Sequence, residues 1–286
     1  MLHHILTLAR ISNLPTVWSN CLAAWLISGA SPSWQMLPLL IGASLLYAGG
    51  CTLNDAFDAH WDARHRPERL IPSGVLRSRS VWTIGFTEIT AGLFVILAGG
   101  VSMVWAPLAL AACILFYDAW HKQSPLSVIV MGACRWLLYV TAAAAAGGAS
   151  LNSVMLCGAV MWLYIVVLSL VARGEARRGA TVPRSRHLLL IIPAAVMAAA
   201  WLAGSHGREI WAPAIIAFAG LGLMLPGIDA PAGVWVNRLL ASIPLIDLCL
   251  FFTIWDSHGA AHRAWALAFP VALALSLLFQ RWFRAT

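Results

Sequence analysis

The chain has 286 residues, of which 61% are hydrophobic and only 10% are charged. Because soluble domains carry about 25% charged residues, this composition excludes an ordinary soluble fold and indicates that lipid surrounds most side chains. The net charge of +7 would suggest nucleic acid as the partner of a soluble protein. Here the basic residues lie between apolar stretches, so we interpret them as topology signals and phosphate ligands and expect no nucleic-acid partner.

Ten apolar stretches are candidate membrane-spanning helices, because a spanning helix needs about 20 mostly apolar residues. Several are short or closely joined, so nine spans are the alternative, with one later segment re-entrant or lying in the interface. The sequence therefore predicts an all-α, polytopic membrane bundle of nine or ten helices that forms one domain over residues 1–286. The candidate spans are 14–29, 36–53, 81–99, 101–117, 127–146, 153–172, 187–204, 210–226, 238–254 and 264–280.

Basic residues fall on alternate connections between these spans. The segments 54–80 and 172–186 are rich in arginine, Lys122 follows the fourth span, and the connections between them contain no lysine or arginine. The positive-inside rule then predicts a multi-pass protein of the cell inner membrane, with its N-terminus and these loops in the cytoplasm. Because long loops are often functional, we expect the two arginine-rich loops to meet over one mouth of the bundle.

The strongest chemical signal is the segment 54–62, which reads NDAFDAHWD and follows the second span directly. On a helix, Asn54, Asp58 and Asp62 would share one face, with Asp55 beside them. Three carboxylates so close together repel one another unless a cation neutralises them, and oxygen ligands suit Mg²⁺. Carboxylates at membrane depth also indicate function. The alternative is a chance acidic cluster at a solvated helix end.

Arginines follow this acidic segment at once, in the stretch 64–74 that reads RHRPERLIPSG. Arg64, Arg66 and Arg69 are candidate phosphate ligands, because guanidinium groups bind phosphate oxygens in pairs. Carboxylates for a metal followed by arginines for phosphate oxygens is the chemistry that a diphosphate requires. Taken alone, the same stretch would be no more than a topology signal.

Both stretches resemble the UbiA-type intramembrane prenyltransferases. The first aspartate motif of that superfamily is N-D-x-x-D-x-x-x-D, and the segment 54–62 matches it in full. The family often continues with R-P-x-R-P-I-P-S-G, from which 66–74 differs only at Leu70. This resemblance covers about residues 10–180.

Three weaker similarities accompany that motif. The stretch 10–16 is similar to the start of the family's first helix, where an asparagine faces the site, and this implies a role for Asn13. Tyr117 and Lys122 resemble a tyrosine and a lysine that follow the family's fourth helix. Arg135 closes a segment similar to the fifth helix of several members, and it either reaches the phosphate or extends to the membrane interface.

The resemblance implies a helical bundle around a central cavity in which a prenyl group passes from a prenyl diphosphate to an aromatic or lipid acceptor. It implies Mg²⁺ as the cofactor, held on the diphosphate by aspartates while basic residues neutralise the phosphate charge. The implied catalytic and metal-binding residues are Asn54, Asp55, Asp58, Asp62 and Glu175. The implied diphosphate-binding residues are Arg64, Arg66, Arg69, Lys122, Arg135, Arg173, Asn13 and Tyr117.

The family's second motif, D-x-x-x-D, is incomplete in the stretch 169–181. Glu175 occupies the position of the second aspartate, whereas the first falls on Val171. This resembles a divergent, EboC-like branch with an Arg-x-Glu motif. Either Glu175 completes one metal site while Arg173 replaces a second Mg²⁺, or the second site is inactive and the protein binds a prenyl diphosphate without turnover. A basic loop with no role in the site is the third alternative.

Two functions of other kinds stay open. A transporter or lipid carrier could bind an anionic lipid, although the sequence shows neither internal repeats nor the midplane charges of many transporters. A transferase could instead move another group, such as phosphoribose, to a polyprenyl phosphate. Asp118 is expected to pair with Lys122 at the i, i+4 spacing. Asp247 and Glu88 lie within apolar spans and need partners, either on neighbouring helices or in a substrate.

Overall fold

The computed structural model of the chain contains only helices and the turns between them in the part that it describes. A single helical bundle was predicted, and the all-α class is confirmed. The described residues are 2–148, 150–175, 189, 191–202, 215, 219–220, 222, 232–252 and 260–283.

The helices of the described part follow one another with short connections. A 3₁₀ turn at Ile11–Asn13 precedes α2, and another at Ala264–Leu267 precedes α12. The α-helices are α1 Leu2–Leu8, α2 Leu14–Ile27, α3 Met36–His65, α4 Ser78–Ala98, α5 Trp105–Trp120, α6 Ser127–Ala146, α7 Leu151–Glu175, α8 Ile191–Leu202, α9 Ala232–Ala241, α10 Ile243–Phe252, α11 Ala260–Arg263 and α12 Ala268–Trp282.

Six helical segments in the described residues are long and apolar enough to cross a membrane. Helix α5 is a shorter apolar helix, and α2 has only 14 residues. The predicted count of nine or ten spans is therefore not confirmed, and most of the candidate span 210–226 lies outside the described residues. The six segments are Met36–His65, Ser78–Ala98, Ser127–Ala146, Leu151–Arg173, Gly233–Phe252 and Ala261–Trp282.

Helix α3 extends well beyond the span 36–53 that the hydropathy predicted. It continues through the acidic segment to His65, so that the expected loop 54–80 is reduced to residues 66–77. The segment 54–65 contains no glycine or proline that would stop the helix. Pro67 stops it, because a residue before proline is driven out of the α region, and Arg66 has φ −144° and ψ 62°. The acidic motif is thus helical, as its spacing predicted.

Helices α3 and α4 approach each other through two pairs of glycines. A methyl group on Gly42 would lie 2.6 Å from the carbonyl oxygen of Gly92, and one on Gly49 would lie 3.0 Å from that of Gly85. Small residues of this kind let membrane helices approach closely. Beside them, the Thr52 hydroxyl donates to the Glu88 carboxylate at 2.9 Å. Glu88 therefore has a partner on a neighbouring helix, which is one of the two roles expected for it.

Helix α2 is the central helix of the described bundle. It packs against α3, α6, α10 and α12, and nearly all of its residues are buried, including polar ones such as Asn20. Polar groups with no access to water need internal partners. The position of α2 therefore brings buried polar side chains from three helices together behind the cavity described below.

Candidate functional site

A cavity of about 160 Å³ lies between α2, α3, α5 and α6, and its existence matches the expected central cavity. Its polar end is formed by Arg10 from the connection between α1 and α2, by Asn54 in the C-terminal half of α3, and by Tyr117 and Asp118 near the C-terminal end of α5. Away from that end the walls are apolar and include Leu46, Leu110 and Leu138. A cavity that is charged at one end and, apart from Arg135, mostly apolar along its length suits a molecule with an anionic head and a hydrocarbon chain.

Asp55 and Asp62 are held by the same arginine at the end of α3. Arg69 Nη1 lies 3.0 Å from Asp55 Oδ1 and 3.2 Å from Asp62 Oδ2. Arg10 Nη2 also contacts Asp55 Oδ1, at 3.3 Å. Because Asp62 is only 2% exposed, an unpaired charge there would be strongly unfavourable. The loop after α3 thus folds Arg69 back over the helix to neutralise its carboxylates.

Asp58 is neutralised from the other side, by the connection between α5 and α6. His121 Nε2 lies 3.3 Å from Asp58 Oδ1, and Lys122 Nζ lies 3.1 Å from Oδ2. The Lys122 ammonium also sits 4.0 Å above the centre of the Trp61 ring, where the ring's electrons attract a cation. Asp58 itself is 4% exposed. Two separate loops therefore supply cations to one helix face.

Asp118 does not pair with Lys122, so that expectation is wrong. Lys122 reaches across to Asp58 instead, because a charged partner on α3 is available and buried. Asp118 Oδ1 accepts a hydrogen bond of 3.2 Å from Asn54 Nδ2. Its other carboxylate oxygen is buried and has no hydrogen-bond partner among the described residues. An orphaned carboxylate oxygen at the wall of a cavity points to a donor or cation supplied by a ligand.

Arg10 is a functional candidate that the sequence reasoning missed. The resemblance included it in the stretch 10–16 without giving it a role, yet it lines the polar end of the cavity and contacts Asp55. Its backbone lies in the left-handed region, with φ 45°, which turns the chain between α1 and α2. Burial alone would lower the pKa of the guanidinium, but electrostatic interaction with Cys51 and with the Asp55 carboxylate raises it overall. The signal was its position three residues before Asn13.

His121 was missed as well, although it immediately precedes a predicted site lysine. Its ring stacks on Tyr117, with the ring centres 5.1 Å apart, while Nε2 faces Asp58. The i, i+4 spacing from Tyr117 was the available signal. Tyr117 in turn lines the cavity, as expected of a site residue. Asn13 is 4% exposed and lies within hydrogen-bonding reach of the Tyr47 side chain, which lines the cavity.

Arg135 does not extend to the membrane interface. It lines the cavity from α6, and Nη1 donates to Asn20 Oδ1 at 2.6 Å while Nη2 donates to Thr16 Oγ1 at 3.1 Å. The guanidinium lies 6.0 Å from the centre of the Tyr47 ring. Tyr47 precedes Asn54 by about two helical turns on α3. Arg135 is therefore a second cationic point, deeper in the cavity than the aspartates.

Of the predicted site residues, Asn54, Tyr117 and Arg135 line the cavity. The ion-paired aspartates lie beside its polar end, where Arg10 lines the cavity and contacts Asp55. The other predicted residues are farther from this group. Arg64 and Arg66 are exposed. Arg173 Nη2 donates to the carbonyl oxygens of His121 at 3.2 Å and Ser124 at 3.0 Å. Arg173 thus holds the connection between α5 and α6. Glu175 ends α7, but its side chain lies outside the described residues, as does the stretch 176–181 of the second motif.

The carboxylates fit an oxygen-ligated divalent cation by their chemistry. Within the described residues, no three histidine, cysteine or acidic side chains are already gathered as a metal centre. Asp55 and Asp62 nevertheless converge on one nitrogen of Arg69, so a cation in that position would contact both. Magnesium is commonly bound in this way, by one or two carboxylates together with substrate phosphates. Asp55, Asp58 and Asp62 are therefore the residues that could hold it.

Comparisons with known proteins show the family of the chain. The model of the UbiA prenyltransferase family matches residues 13–278. The chain is 26% identical to a 4-hydroxybenzoate octaprenyltransferase of Ectopseudomonas mendocina, over 94% of this chain and 82% of that protein. It is 24% identical to a digeranylgeranylglyceryl phosphate synthase of Methanoregula boonei, over 88% and 85%. Its match to the octaprenyltransferase of Pectobacterium carotovorum, at 26% identity, covers 43% of this chain and only 44% of that protein.

Solved structures show the same fold. A digeranylgeranylglyceryl phosphate synthase in membranes superposes with a TM-score of 0.60 at 17% identity, over 95% of this chain and 98% of that one. A UbiA homologue from Archaeoglobus fulgidus bound to DMAPP and Mg²⁺ gives a TM-score of 0.55 at 14% identity, over 96% and 98%. Together with the family match over most of the sequence, these findings show that the chain belongs to the UbiA prenyltransferase family.

Proposed function

We propose that the protein is a Mg²⁺-dependent intramembrane prenyltransferase that moves a prenyl group from a prenyl diphosphate to an aromatic or lipid acceptor. The observation that carries this proposal is the cavity, whose charged end joins an apolar interior. Paired carboxylates and cations at one end suit a metal-bound diphosphate, and the apolar walls suit its hydrocarbon chain. The names of the relatives, which act on a hydroxybenzoate or make a glyceryl phosphate lipid, support the two acceptor classes.

The ion pairs at the polar end suggest how the charges are exchanged when substrates bind. In the free protein, Arg69 neutralises Asp55 and Asp62, and Lys122 neutralises Asp58. If these carboxylates bind Mg²⁺ instead, Arg69 and Lys122 become free to bind the phosphate oxygens. No charged group is then left without a partner. Bound Mg²⁺ would stabilise the diphosphate as a leaving group. Arg10, which already contacts Asp55, would join Arg69 on the phosphates.

The apolar part of the cavity would protect the reaction from water. The bond between the prenyl carbon and the diphosphate oxygen breaks, a nucleophilic atom of the acceptor bonds to that carbon, and the acceptor loses a proton. Positive charge develops on the allylic carbon during this exchange, and water would capture it. Walls formed by Leu46, Leu110 and Leu138 exclude water, while ring electrons such as those of Tyr47 stabilise a nearby cation.

Arg135 would bind an anionic group deeper in the cavity. The resemblance assigned it to the diphosphate, but its place beside Tyr47, which is about two turns of α3 away from Asn54, also suits an acidic group on the acceptor. Hydroxybenzoate carries a carboxylate and a glyceryl phosphate carries a phosphate. A guanidinium can bind either group through two parallel hydrogen bonds. We therefore propose that an acidic acceptor is preferred over a neutral one.

The cytoplasmic face of the cell inner membrane is the proposed location of the polar end. Both loops that neutralise the aspartates are basic, and the exposed Arg64 and Arg66 lie beside them. The positive-inside rule favours the cytoplasm for such loops. This orientation would give the site access to soluble diphosphates and Mg²⁺. Modification of a single cysteine introduced at exposed Glu68, by a reagent that does not cross membranes, would report the side.

The decisive experiment is diphosphate release by the purified protein. Farnesyl or geranylgeranyl diphosphate would be supplied with and without Mg²⁺, together with 4-hydroxybenzoate, a prenylglyceryl phosphate and neutral analogues of both. Mg²⁺-dependent release that requires one acceptor would establish the transferase and identify its substrate. Mg²⁺-dependent donor binding without release for any acceptor would favour the binding protein that the incomplete second motif suggested. Release from phosphoribosyl diphosphate instead would favour the alternative donor.

A further inference from the structure

Another buried carboxylate lies behind the cavity, away from the aspartate motif. Asp247 on α10 is 0% exposed. Its oxygens accept hydrogen bonds from Ser19 and Asn20 of α2 and from Tyr139 of α6. All three donors are neutral groups. The network therefore joins three helices around one acceptor, and its purpose is not explained by the metal or the diphosphate.

The carboxylate determines which way the Asn20 amide faces. Because an ionised carboxylate can only accept, Asn20 must direct Nδ2 towards it, and this nitrogen lies 2.9 Å from each oxygen of Asp247. Asn20 Oδ1 consequently faces the opposite side, where it accepts the 2.6 Å hydrogen bond from Arg135 Nη1. An amide turned the other way would place its NH₂ group against the guanidinium, donor against donor.

The contact between Thr16 and Arg135 is directed in the same way. The Thr16 hydroxyl donates to the carbonyl oxygen of Asn13 at 2.7 Å, so its oxygen is left to accept from Arg135 Nη2 at 3.1 Å. The Thr16 carbonyl oxygen also accepts from Arg135 Nη1, at 3.3 Å, so Asn20 and Thr16 present three neutral acceptors to one guanidinium. They fix its direction at the cavity wall, and none of these direct hydrogen-bond partners carries a negative charge that would compete with an anion in the cavity.

We propose that Asp247 is a positioning residue that acts through Asn20 to hold Arg135 ready for the anionic group of a substrate. The proposal rests on the proposed function for the identity of that substrate. It adds that a residue of α10, with no contact to the cavity wall, controls substrate affinity. Its action is directional, because it depends on Asp247 being an acceptor and not only on its size.

Replacement of Asp247 by asparagine tests the direction of these hydrogen bonds, because it removes one acceptor oxygen and keeps the shape of the side chain. Asparagine keeps one acceptor oxygen, which Ser19, Asn20 and Tyr139 would then share, and presents an NH₂ group in place of the other. When Asn20 faces this NH₂ group, it turns its own oxygen towards it and loses its bond to Arg135. We expect the KM of the acidic substrate bound by Arg135 to rise about tenfold, as for one charge-assisted hydrogen bond, with kcat changed less. Glu88→Gln is the matched control, because it also neutralises a carboxylate between helices, and it should leave this KM within about twofold.

A double variant separates positioning from general loosening of the bundle. If Asp247 acts through Arg135, then Asp247→Asn should raise KM about tenfold alone and not at all in an Arg135→Gln protein. Equal increases in both backgrounds would overturn the proposal, as would an unchanged KM in the single variant. The melting temperatures of all variants would be measured alongside, since a merely structural residue would lower stability without this dependence.

A structure of the Asp247→Asn variant gives a readout that needs no substrate. We expect the contact between Arg135 and Asn20 Oδ1 to be lost, and an intact contact at about its present length would overturn the proposal. If the wild-type protein turns over no prenyl diphosphate, the proposed function fails on that result. The structure of the variant would still decide whether Asp247 directs Arg135.

Discussion

The ends of α3 and α7 approach the same loop from two sides, but their arginines have different kinds of partner. At the end of α3, Arg69 pairs with the carboxylates of Asp55 and Asp62. At the end of α7, Arg173 donates to backbone carbonyls of the connection between α5 and α6, and to the Ser127 hydroxyl. A carboxylate can exchange an arginine for a metal ion, whereas a buried carbonyl that loses its donor is left unsatisfied.

This difference indicates separate roles for the two family motifs in this chain. The aspartates of the first motif are paired with basic side chains that could bind a substrate once the aspartates bind a metal ion. The second supplies a cation that shapes the loop carrying His121 and Lys122, which in turn reach Asp58. The partner of an arginine, more than its place in a motif, therefore suggests whether it binds substrate or builds the site. The predictions below test that distinction.

The largest expected effect is that of Asp58→Asn. The carboxylate would no longer bind a cation, and its loss would leave Lys122 without its charged partner. Because metal stabilisation of a leaving group contributes several kcal/mol, we expect kcat to fall at least about 100-fold. Mg²⁺-dependent binding of farnesyl diphosphate, measured by calorimetry, should also be lost. Unchanged affinity in this variant, beside an active Glu88→Gln control, would rule out Asp58 as part of the site.

Arg69→Gln should change two affinities in opposite directions. Without Arg69 the carboxylates of Asp55 and Asp62 have lost a competing cation, so Mg²⁺ alone should bind more tightly. The prenyl diphosphate should bind roughly 10–100-fold more weakly, since a charge-assisted hydrogen bond contributes about 1.5–3 kcal/mol. Titration of each ligand separately would measure both. Arg79→Gln is the control, because Arg79 is exposed on α4 and its replacement removes the same charge.

A fall in both affinities after Arg69→Gln would contradict the exchange of partners. It would show that the arginine serves only to hold the loop 66–77 against α3. The comparison with α7 would then lose its basis, because both arginines would be structural.

Much of this fold and site could be predicted from sequence, because the relevant signals are local. The helix face of Asn54, Asp58 and Asp62 follows from the i, i+4 spacing, and the structure confirms that the segment is helical. Composition predicted the membrane bundle, and hydropathy located the helices from α3 to α7 within a few residues. The exception was the end of α3, where polar residues continue a helix that hydropathy alone would stop at the span's edge.

The contacts between distant segments could not be predicted in the same way. Arg10 reaches Asp55 across 45 residues, and Asn20 reaches Asp247 across 227. No local pattern specifies which buried polar groups meet when helices pack. Asp118 shows the same limit, because its spacing from Lys122 suggested that the two would pair. Lys122 instead pairs with Asp58 of α3, and Asp118 accepts a hydrogen bond from Asn54 of α3. The spacing of residues along one helix predicts which side chains could pair, but the packing of the helices determines which pairs form.

The smallest expected effect distinguishes the two readings of Arg173. If it shapes the loop, Arg173→Gln should weaken donor binding by only about 3–10-fold, since it removes hydrogen bonds that order the loop but none to the substrate. Hydrogen exchange of the amides in residues 121–127 should become faster in the protein without any ligand. If Arg173 instead clamps the diphosphate, donor affinity should fall while loop exchange in the free protein stays unchanged. The second result would restore the α7 motif to the substrate site and remove the contrast with α3.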